Sequence, residues 1–505
     1  MATTTRPPQP PPSTAPQQLP PGFGAALNVY KWFDERLNIT GIWRATALHP
    51  VPRSTNWWYV FGSAVLTCFV IQLVTGIFLA FSYVPSPDHA YQSLFYITHD
   101  QLFGNILRGI HYWGASAMVM LIFIHMTAHF LTGSYKYPRE LQWWTGVLLL
   151  FLTIGMAFTG QLLRWNQDAY WAIVVGAEQT ARAPIIGGLA AQLLTMGPHV
   201  NGRTLAAVYA THMLLLPGGI ISLVSVHLYL VIYKGVSEWP VPGRPVDPKT
   251  YWAEYQEILH TDGEPFFPVG IFRDAVMSLI VIVTIGALAI FIGAATLGLP
   301  VNPYAAESPR PDWYLIWYFA VLALIPPKST DFVIIFFPLV AFLVLMAFPL
   351  ANKGERHFAR RPWAVIVVFL AAFTTAVLGY LGYQEPWKPD FNPISGFVPS
   401  VQAKDYAGLT VTQKRGAKLF HNYLCISCHT IDGVGGQRGP NLTYVGDRLS
   451  YSEMDTRITY GGTNMPQFGT KMSNADLNAV VQFLLTRKSS SAPVGGSAGP
   501  AGTGP

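Results

Sequence analysis

Seven long apolar runs constrain the fold of this 505-residue chain more than any other feature. Their approximate limits are residues 57–83, 110–131, 141–163, 205–233, 275–299, 332–350 and 362–383. A helix of about 20 apolar residues crosses a bilayer, and helices satisfy their backbone hydrogen bonds without water. Charged residues make up only 11% of the chain, which excludes an ordinary soluble enzyme. The sequence therefore predicts an all-α membrane protein with seven transmembrane helices.

The chain outside the apolar runs divides into a leader, a linker, a small domain and a tail. Proline dominates the start of residues 1–27, and Ser, Gly, Ala and Pro dominate residues 489–505, so both ends are predicted to be disordered. A linker over 386–403 leads to a small all-α domain over 404–488. Its last helix is predicted to begin at Ser473, which has a capping residue three positions later.

Basic residues cluster before the first run, between the second and third runs, and between the sixth and seventh. They are Lys31, Arg36, Arg44 and Arg53; Lys136 and Arg139; and Lys353, Arg356, Arg360 and Arg361. The positive-inside rule predicts a cytoplasmic N-terminus, and seven crossings place the small domain on the opposite, outer face. Because the basic residues fall in short loops, the net charge of +6 does not indicate nucleic-acid binding.

Two of the apolar runs each contain a pair of histidines. His111 and His125 are fourteen residues apart, and His212 and His227 are fifteen apart. At these separations both members of a pair project from one helix face, about 21 Å apart along the axis. Ionisable residues inside a membrane are costly and usually functional. We expect the parallel helices to pair His111 with His212 near the outer face and His125 with His227 near the inner face, as ligands of two bis-histidine haems.

The first and third runs repeat the fourteen-residue spacing with glycine. Gly62 and Gly76 lie in the first run, and Gly146 and Gly160 in the third. Glycine allows another surface to approach the helix backbone closely. Small-residue helix packing is the simpler explanation, but the shared spacing indicates that the glycines face the two haem positions.

The small domain contains the segment "CISCHT". In this C-x-x-C-H pattern Cys425 and Cys428 can bond covalently to haem, and His429 can ligate its iron. A redox-active dithiol would not need the histidine. The remaining cysteine, Cys68, lies inside an apolar run. We therefore expect one haem c on this domain.

Several motifs together resemble cytochrome b of the bc and bf complexes, the quinol:cytochrome c and plastoquinol:plastocyanin oxidoreductases. They include "DERLNITGI", "LTCFVIQLVTG", "YPRELQWWTG" and the fifteen-residue histidine spacing. The resemblance implies a four-helix di-haem domain over 28–240, a three-helix domain similar to subunit IV over 241–385, and a class I cytochrome c domain at the C-terminus.

The same resemblance implies roles for further residues. Asp312 and Tyr314, in "PDWY", match the quinol-oxidation signature P-E-W-Y, with Asp312 as the proton acceptor and Asp in place of the commoner Glu. Arg108 matches an arginine that pairs with a haem propionate, and Met465, in "GGTNMPQFG", matches the second axial ligand of haem c.

Three further positions depart from the family pattern. Ala128 occupies the place of a second propionate-pairing arginine, for which His129 is either a substitute or a packing residue. Arg164 stands where the family often has proline. Val60 stands where the bf type has the cysteine that attaches an extra haem, so none is expected.

The implied function is quinol oxidation by a cytochrome b/c fusion subunit in the cytoplasmic membrane of a bacterium. One electron would pass through a Rieske iron–sulfur partner to haem c, and the other through the two b haems to a quinone site near the inner face, coupled to proton translocation. A Rieske centre needs two cysteines and two histidines, so it belongs on another chain. The expected partners are that protein, the membrane quinone pool and an electron acceptor such as a cytochrome c or cupredoxin, in a dimeric complex.

Two other functions compete with this one. A di-haem membrane anchor for a dehydrogenase would explain the four histidines but not "PDWY" or the C-terminal domain. A transporter with intramembrane histidines would leave the C-x-x-C-H motif unexplained. Dependence on a Rieske partner separates quinol oxidation from the anchor, and haem content separates both from the transporter.

Overall fold

The computed structural model describes residues 23–197, 200–301, 311–325, 327–351, 353–384, 408–435, 439–461 and 465–489. Over the membrane part its elements are α1 (Phe23–Leu37), α2 (Ile39–Ala47), β1 (Pro50–Pro52), α3 (Phe61–Ala80), α4 (Ala90–His99), α5 (Gly104–Thr132), α6 (Glu140–Leu162), α7 (Gln167–Ala181), α8 (Gly187–Thr195), α9 (Gly202–Ala210), α10 (Leu216–Lys234), α11 (Tyr251–Asp262), β2 (Gly263–Pro265), α12 (Ile271–Phe291), α13 (Trp313–Leu324), α14 (Pro327–Ala351) and α15 (Pro362–Tyr383). The elements of the C-terminal part are α16 (Val411–Asn422), α17 (Cys425–Cys428), β3 (Thr430–Ile431), β4 (Val434–Gly435), α18 (Tyr451–Tyr460) and α19 (Asn474–Leu485).

Seven helical spans in the described part of the chain are long and apolar enough to cross a membrane, which confirms the predicted number. They cover Trp57–Ala80, Gly104–Thr132, Glu140–Leu162, Gly202–Lys234, Phe266–Phe291, Asp331–Ala351 and Pro362–Tyr383. The protein is thus a helical, multi-pass membrane protein. Strands within the described ranges form two short antiparallel pairs, β1–β2 and β3–β4.

The predicted limits of the fifth span were wrong by about two turns. The apolar run 275–299 suggested a helix there, but the span begins at Phe266 and ends at Phe291. Gly293 and Gly298 both have a positive φ, so the chain after Phe291 leaves the helix although it remains apolar.

The fourth span is interrupted just before Pro217-Gly218-Gly219. Residues Thr211–Leu215 form a π-helical turn between α9 and α10. Pro217 has no N–H to donate to the preceding turn, which favours such a local widening. The π-helical turn contains His212, so the irregularity lies at one of the predicted ligands.

The predicted end of the disordered leader also differs from the structure. Residues 23–27, assigned to the disordered leader from the sequence, form the start of α1. Residues 1–22, 385–407 and 490–505, which include most of the predicted leader, linker and tail, lie outside the described residues.

The membrane helices pack as neighbouring pairs. Extensive contacts join α3 with α5 and α6 with α10, so each histidine-bearing helix packs against a glycine-bearing one. Helix α12 packs against both α3 and α5, α13 packs against α15, and α14 packs against α6. We call the end of the bundle near His111 and His212 the outer end, and that near His125 and His227 the inner end.

The three basic segments lie together at the inner end. The Lys136 ammonium, between α5 and α6, donates to the carbonyl oxygen of Glu355, between α14 and α15. The hydroxyl of Ser54, just before α3, accepts from the backbone N–H of Trp239, which follows α10. The sequence prediction that these segments share one side is therefore confirmed.

A buried ion pair joins the two parts of the membrane domain at this end. The Arg356 guanidinium lies 2.6 Å from a carboxylate oxygen of Glu238. Tyr251 donates to the other oxygen of Glu238 at 2.8 Å and accepts from Arg139 at 2.8 Å. Because these charges are paired and hydrogen-bonded, the loops at this end are fixed relative to one another.

The C-terminal part is a small helical unit with its own core. Helices α16 and α19 pack together, and Gly416 allows this because a Cβ there would lie 1.8 Å from the carbonyl oxygen of Ala479. Ser473 caps α19 by accepting from the backbone N–H of Asp476 at 3.1 Å, as its sequence predicts.

Candidate functional site

The outer histidine pair has the geometry of two ligands to one metal. His111, on α5, and His212, in the π-helical turn, have ring centroids 6.5 Å apart and planes inclined at 71°. Two metal–imidazole bonds of about 2.1 Å would separate such centroids by roughly 6 to 6.5 Å. The structure thus brings together the two residues that the sequence paired.

The inner pair, His125 on α5 and His227 on α10, lines a single cavity of about 510 Å³. Gly62 and Gly146 line the same cavity. Its volume falls in the range of sites that hold small molecules and cofactors.

Each of the four glycines faces one of the four histidines. A Cβ built on Gly160 would lie 2.8 Å from Cε1 of His212, and one on Gly76 would lie 3.4 Å from Cε1 of His111. At the inner end the distances are 3.2 Å from Gly62 to His125 and 3.6 Å from Gly146 to His227. The glycines therefore leave room for the imidazole rings themselves, most critically at Gly160.

Three threonines orient the imidazoles, and the sequence analysis missed them. Thr75, Thr145 and Thr159 place their hydroxyl oxygens 2.9, 2.8 and 3.0 Å from Nδ1 of His111, His227 and His212, respectively. Each hydroxyl also donates to a carbonyl oxygen one turn back in its own helix. Because the single proton of each threonine hydroxyl is used in that bond, the hydroxyl oxygen must accept from the histidine Nδ1–H. This leaves Nε2 of the histidine free to bind a metal.

A sequence signal for these threonines exists. A Thr-Gly dipeptide occurs at Thr75, Thr145 and Thr159, whereas Phe61 precedes the fourth glycine, Gly62. The corresponding histidine, His125, has His129 beside it, with ring centroids 4.5 Å apart. His129 thus lies in the inner cavity, against the predicted ligand.

These donor sets fit two haem b groups. Imidazoles with Nε2 available are suitable iron ligands, and the bare glycine backbone gives flat groups close access to the helices. Arg108, the predicted propionate partner, is buried at the outer end. Its guanidinium donates to the Thr98 hydroxyl at 3.1 Å and to the carbonyl oxygen of Ala295 at 2.5 Å.

Asp312 lies at the outer end in contact with residues that follow Gly160. Arg164 approaches Oδ1 of Asp312 to 3.4 Å. With its amide oriented to match its neighbours, Gln161 donates to Oδ2 of Asp312 at 3.2 Å and accepts from Arg164 at 3.3 Å. Burial raises the pKa of the Asp312 carboxyl, and the Arg164 guanidinium opposes that rise.

Tyr314 lies in the first turn of the short helix α13, two residues after Asp312. Its hydroxyl is buried and has no hydrogen-bond partner among the described residues. An unpaired buried hydroxyl is costly, so a ligand atom at this position would satisfy it.

The predicted covalent haem site lies on the C-terminal unit. Cys425 and Cys428 bound the short helix α17, and the Nδ1–H of His429 donates to the carbonyl oxygen of Pro440 at 2.9 Å. This bond leaves Nε2 available, and burial lowers the pKa of His429, which favours the neutral ring. Met465 and Cys425 both pack against the core cluster of this unit, and the thiol, imidazole and thioether donors together fit one haem c.

The inner cavity extends to polar residues that the sequence analysis did not single out. Asp274, on α12, accepts from the Ser63 hydroxyl at 2.9 Å, and both residues line the cavity together with Arg273 and His49. In the sequence, these polar residues are indicated only by Asp274, an acidic residue just before the fifth apolar run. The packing of α12 against α3 places Asp274 beside the inner histidines.

Three family models match separate parts of the chain. The family model "Cytochrome b/b6/petB" matches residues 46–235, and "Cytochrome b(C-terminal)/b6/petD" matches residues 301–398. The model "Cytochrome C oxidase, cbb3-type, subunit III" matches residues 411–484.

Individual proteins show the same similarity. Cytochrome b6 of Heliobacterium modesticaldum is 40% identical over 209 residues, which cover 41% of this chain and 98% of that protein. The menaquinol:cytochrome c reductase cytochrome b subunit of Bacillus subtilis is 38% identical over 217 residues, covering 41% and 97%. A solved structure, "Hyperthermophilic respiratory Complex III", matches with a TM-score of 0.59 and 28% identity, covering 70% of this chain and 91% of its own.

Proposed function

Because the chain belongs to the cytochrome b family, we propose that it is the cytochrome b/c fusion subunit of a quinol:cytochrome c reductase-type complex in a bacterial cytoplasmic membrane. The observation that carries this proposal is the coexistence in one chain of four features: an outer histidine pair with the geometry of two metal ligands, an inner pair that lines one cavity, the Asp312 site and a C-x-x-C-H unit. Relatives named as cytochrome b subunits of menaquinol:cytochrome c reductases support it.

Haem bound at each histidine pair would supply a one-electron centre at each end of the bundle. The chain's own residues prepare both positions. Thr75 and Thr159 fix the outer rings, Thr145 fixes His227, and the glycines keep the space beside the rings open. Ligand orientation is thereby set in advance of cofactor binding.

Quinol oxidation is assigned to the outer end, beside Asp312. Oxidation of quinol releases two protons and two electrons. The Asp312 carboxylate accepts one proton as that quinol O–H bond breaks, and the other proton passes to the aqueous phase at the outer end. The buried Tyr314 hydroxyl is the proposed quinol neighbour. One electron reduces a Rieske iron–sulfur protein, a separate partner, which delivers it to the C-terminal unit.

The other electron crosses to the inner end, where the electrons from two quinol oxidations, with two protons, reduce one quinone to quinol. The inner cavity supports a quinone site there, since Asp274 and Ser63 offer polar groups in a largely apolar wall. Uptake of protons at the inner end and their release at the outer end would make the reaction proton-translocating. We propose a dimeric complex that draws on the membrane quinone pool and passes electrons to a cytochrome c or cupredoxin.

Haem content tests the assignment of ligands. Two histidine pairs and one C-x-x-C-H motif predict two non-covalent b haems and one covalent c haem per chain, measured as pyridine haemochromes of the purified protein. A ratio of haem b to haem c near one, or a second covalently held haem, would contradict the proposal.

A further inference from the structure

Arg164 contacts the proposed proton acceptor, and we propose that it is a positioning residue for quinol oxidation, which holds the Asp312 carboxylate ionised and oriented towards the quinol. This inference rests on the proposed function of the outer site. It gives a role to an arginine that the family resemblance leaves unexplained.

The contact is part of a closed polar triad. Arg164 reaches Oδ1 of Asp312, Gln161 reaches Oδ2, and Gln161 also accepts from Arg164. The Arg164 side chain is 19% exposed and that of Asp312 is 30% exposed, so solvent screens the pair only partly. Both carboxylate oxygens are therefore held from one side by residues that directly follow Gly160.

The two departures from the family pattern at this end are in contact with each other. Asp312 stands where the family usually has glutamate, and Arg164 stands where it often has proline. The aspartate side chain is shorter than that of glutamate, and the long side chain of Arg164, which follows α6, contacts it. This pairing indicates that the two residues act together.

The charged and titratable groups around Asp312 belong to four helices and the segment after α6. Among the described residues they are Arg164 after α6, Asp168 on α7, Tyr112 and Arg108 on α5, Tyr314 on α13, and Tyr383 on α15, which acts through Tyr112. Burial and Asp168 both raise the pKa of Asp312, whereas Arg164 lowers it. Arg164 is therefore the group that opposes protonation of the acceptor.

The direction of the pH effect follows from this balance. A proton acceptor is competent only when deprotonated, so its activity is present above its pKa and is lost as the pH falls through it. Removing the Arg164 charge raises the pKa of Asp312 and moves the acid limb of quinol oxidation to higher pH. An opposite charge at this distance typically shifts the pKa of a carboxyl by about 1 unit or more. At a pH below the midpoints of both the wild type and the variant without the Arg164 charge, the rate of the variant should therefore be lower by about tenfold.

The experiment compares the pH profile of quinol oxidation in the haem-loaded complex for the wild type and for Arg164→Gln, Arg164→Lys and Asp312→Asn. Arg182→Gln is a matched control, since Arg182 forms a more exposed ion pair with Asp331. Infrared titration of the oxidised complex follows the Asp312 carboxyl band, assigned by its loss in Asp312→Asn. Arg164→Gln should raise the midpoint of the pH profile and the midpoint of the infrared titration, each by about one pH unit. Arg164→Lys should stay closer to the wild type, and Arg182→Gln should change neither midpoint.

The possible failures are distinguishable. If Asp312→Asn oxidises quinol at the wild-type rate, the acceptor role is wrong and the inference falls with it. If Asp312→Asn is slow but Arg164→Gln leaves both midpoints unchanged, the acceptor role stands and the inference alone is overturned. Arg164→Met, which keeps the apolar stem without the charge, replaces Arg164→Gln if that variant does not retain its haems.

Discussion

Asp312→Asn is expected to slow quinol oxidation by about 100- to 10,000-fold, the usual effect of removing one general base. Asparagine preserves the size of the side chain but cannot accept the quinol proton at this step. The variant should retain two b haems and one c haem, because Asp312 contacts Arg164 and Gln161 rather than a proposed haem ligand. The measurement is the steady-state rate of quinol oxidation under conditions in which that step is limiting.

Two further variants act as controls for this result. Asp312→Glu keeps the carboxylate and introduces the residue that the family usually has, so most of the activity should remain. Asp168→Asn removes a neighbouring carboxylate on α7 that raises the pKa of Asp312, so this variant should keep most of the activity and move the acid limb to lower pH. An Asp312→Asn enzyme with an unchanged rate would refute the proton-acceptor role.

Gly160→Val is expected to abolish binding of the outer b haem. A Cβ at this position already lies 2.8 Å from Cε1 of His212, and valine adds two methyl groups to it. The ring cannot move away freely, because its Nδ1–H donates to Thr159 in the helix that carries the glycine. The ratio of haem b to haem c should therefore fall from about two to about one.

A valine elsewhere in the membrane helices is the matched control for this variant. At Gly286, on α12, no side chain or neighbouring helix among the described residues comes within 4 Å of the Cβ position, so Gly286→Val should retain both b haems. If Gly160→Val also retained two b haems with unchanged spectra, the geometry proposed for the outer pair would be wrong.

Periodic features of this protein could be predicted from the sequence because local chemistry determines them. The number of spans follows from apolar length, and the pairing of His111 with His212 follows from helical rise and chain direction. The four glycines were identified by the same spacing, although the structure places them against imidazole rings, a closer contact than the haem approach that their spacing suggested.

Features that depend on residues distant in the chain could not be predicted. The contact between Arg164 and Asp312 spans 148 positions, and that between Ser63 and Asp274 spans 211. The fifth span was misplaced because the sequence stays apolar beyond Phe291, although the positive φ at Gly293 shows that the chain has left the helix there. The tautomer of the histidines also depends on tertiary structure, since the threonines that set it lie on neighbouring helices.

Rapid mixing of quinol with the purified complex, with and without its Rieske partner, tests the central claim that this chain divides the two electrons of quinol. With the partner present, we expect the haem c at His429 to be reduced together with the b haems within one turnover. Without the partner, haem c should remain oxidised on that timescale. Fast reduction of haem c in a Rieske-free preparation would contradict the account and favour the alternative of a di-haem membrane anchor.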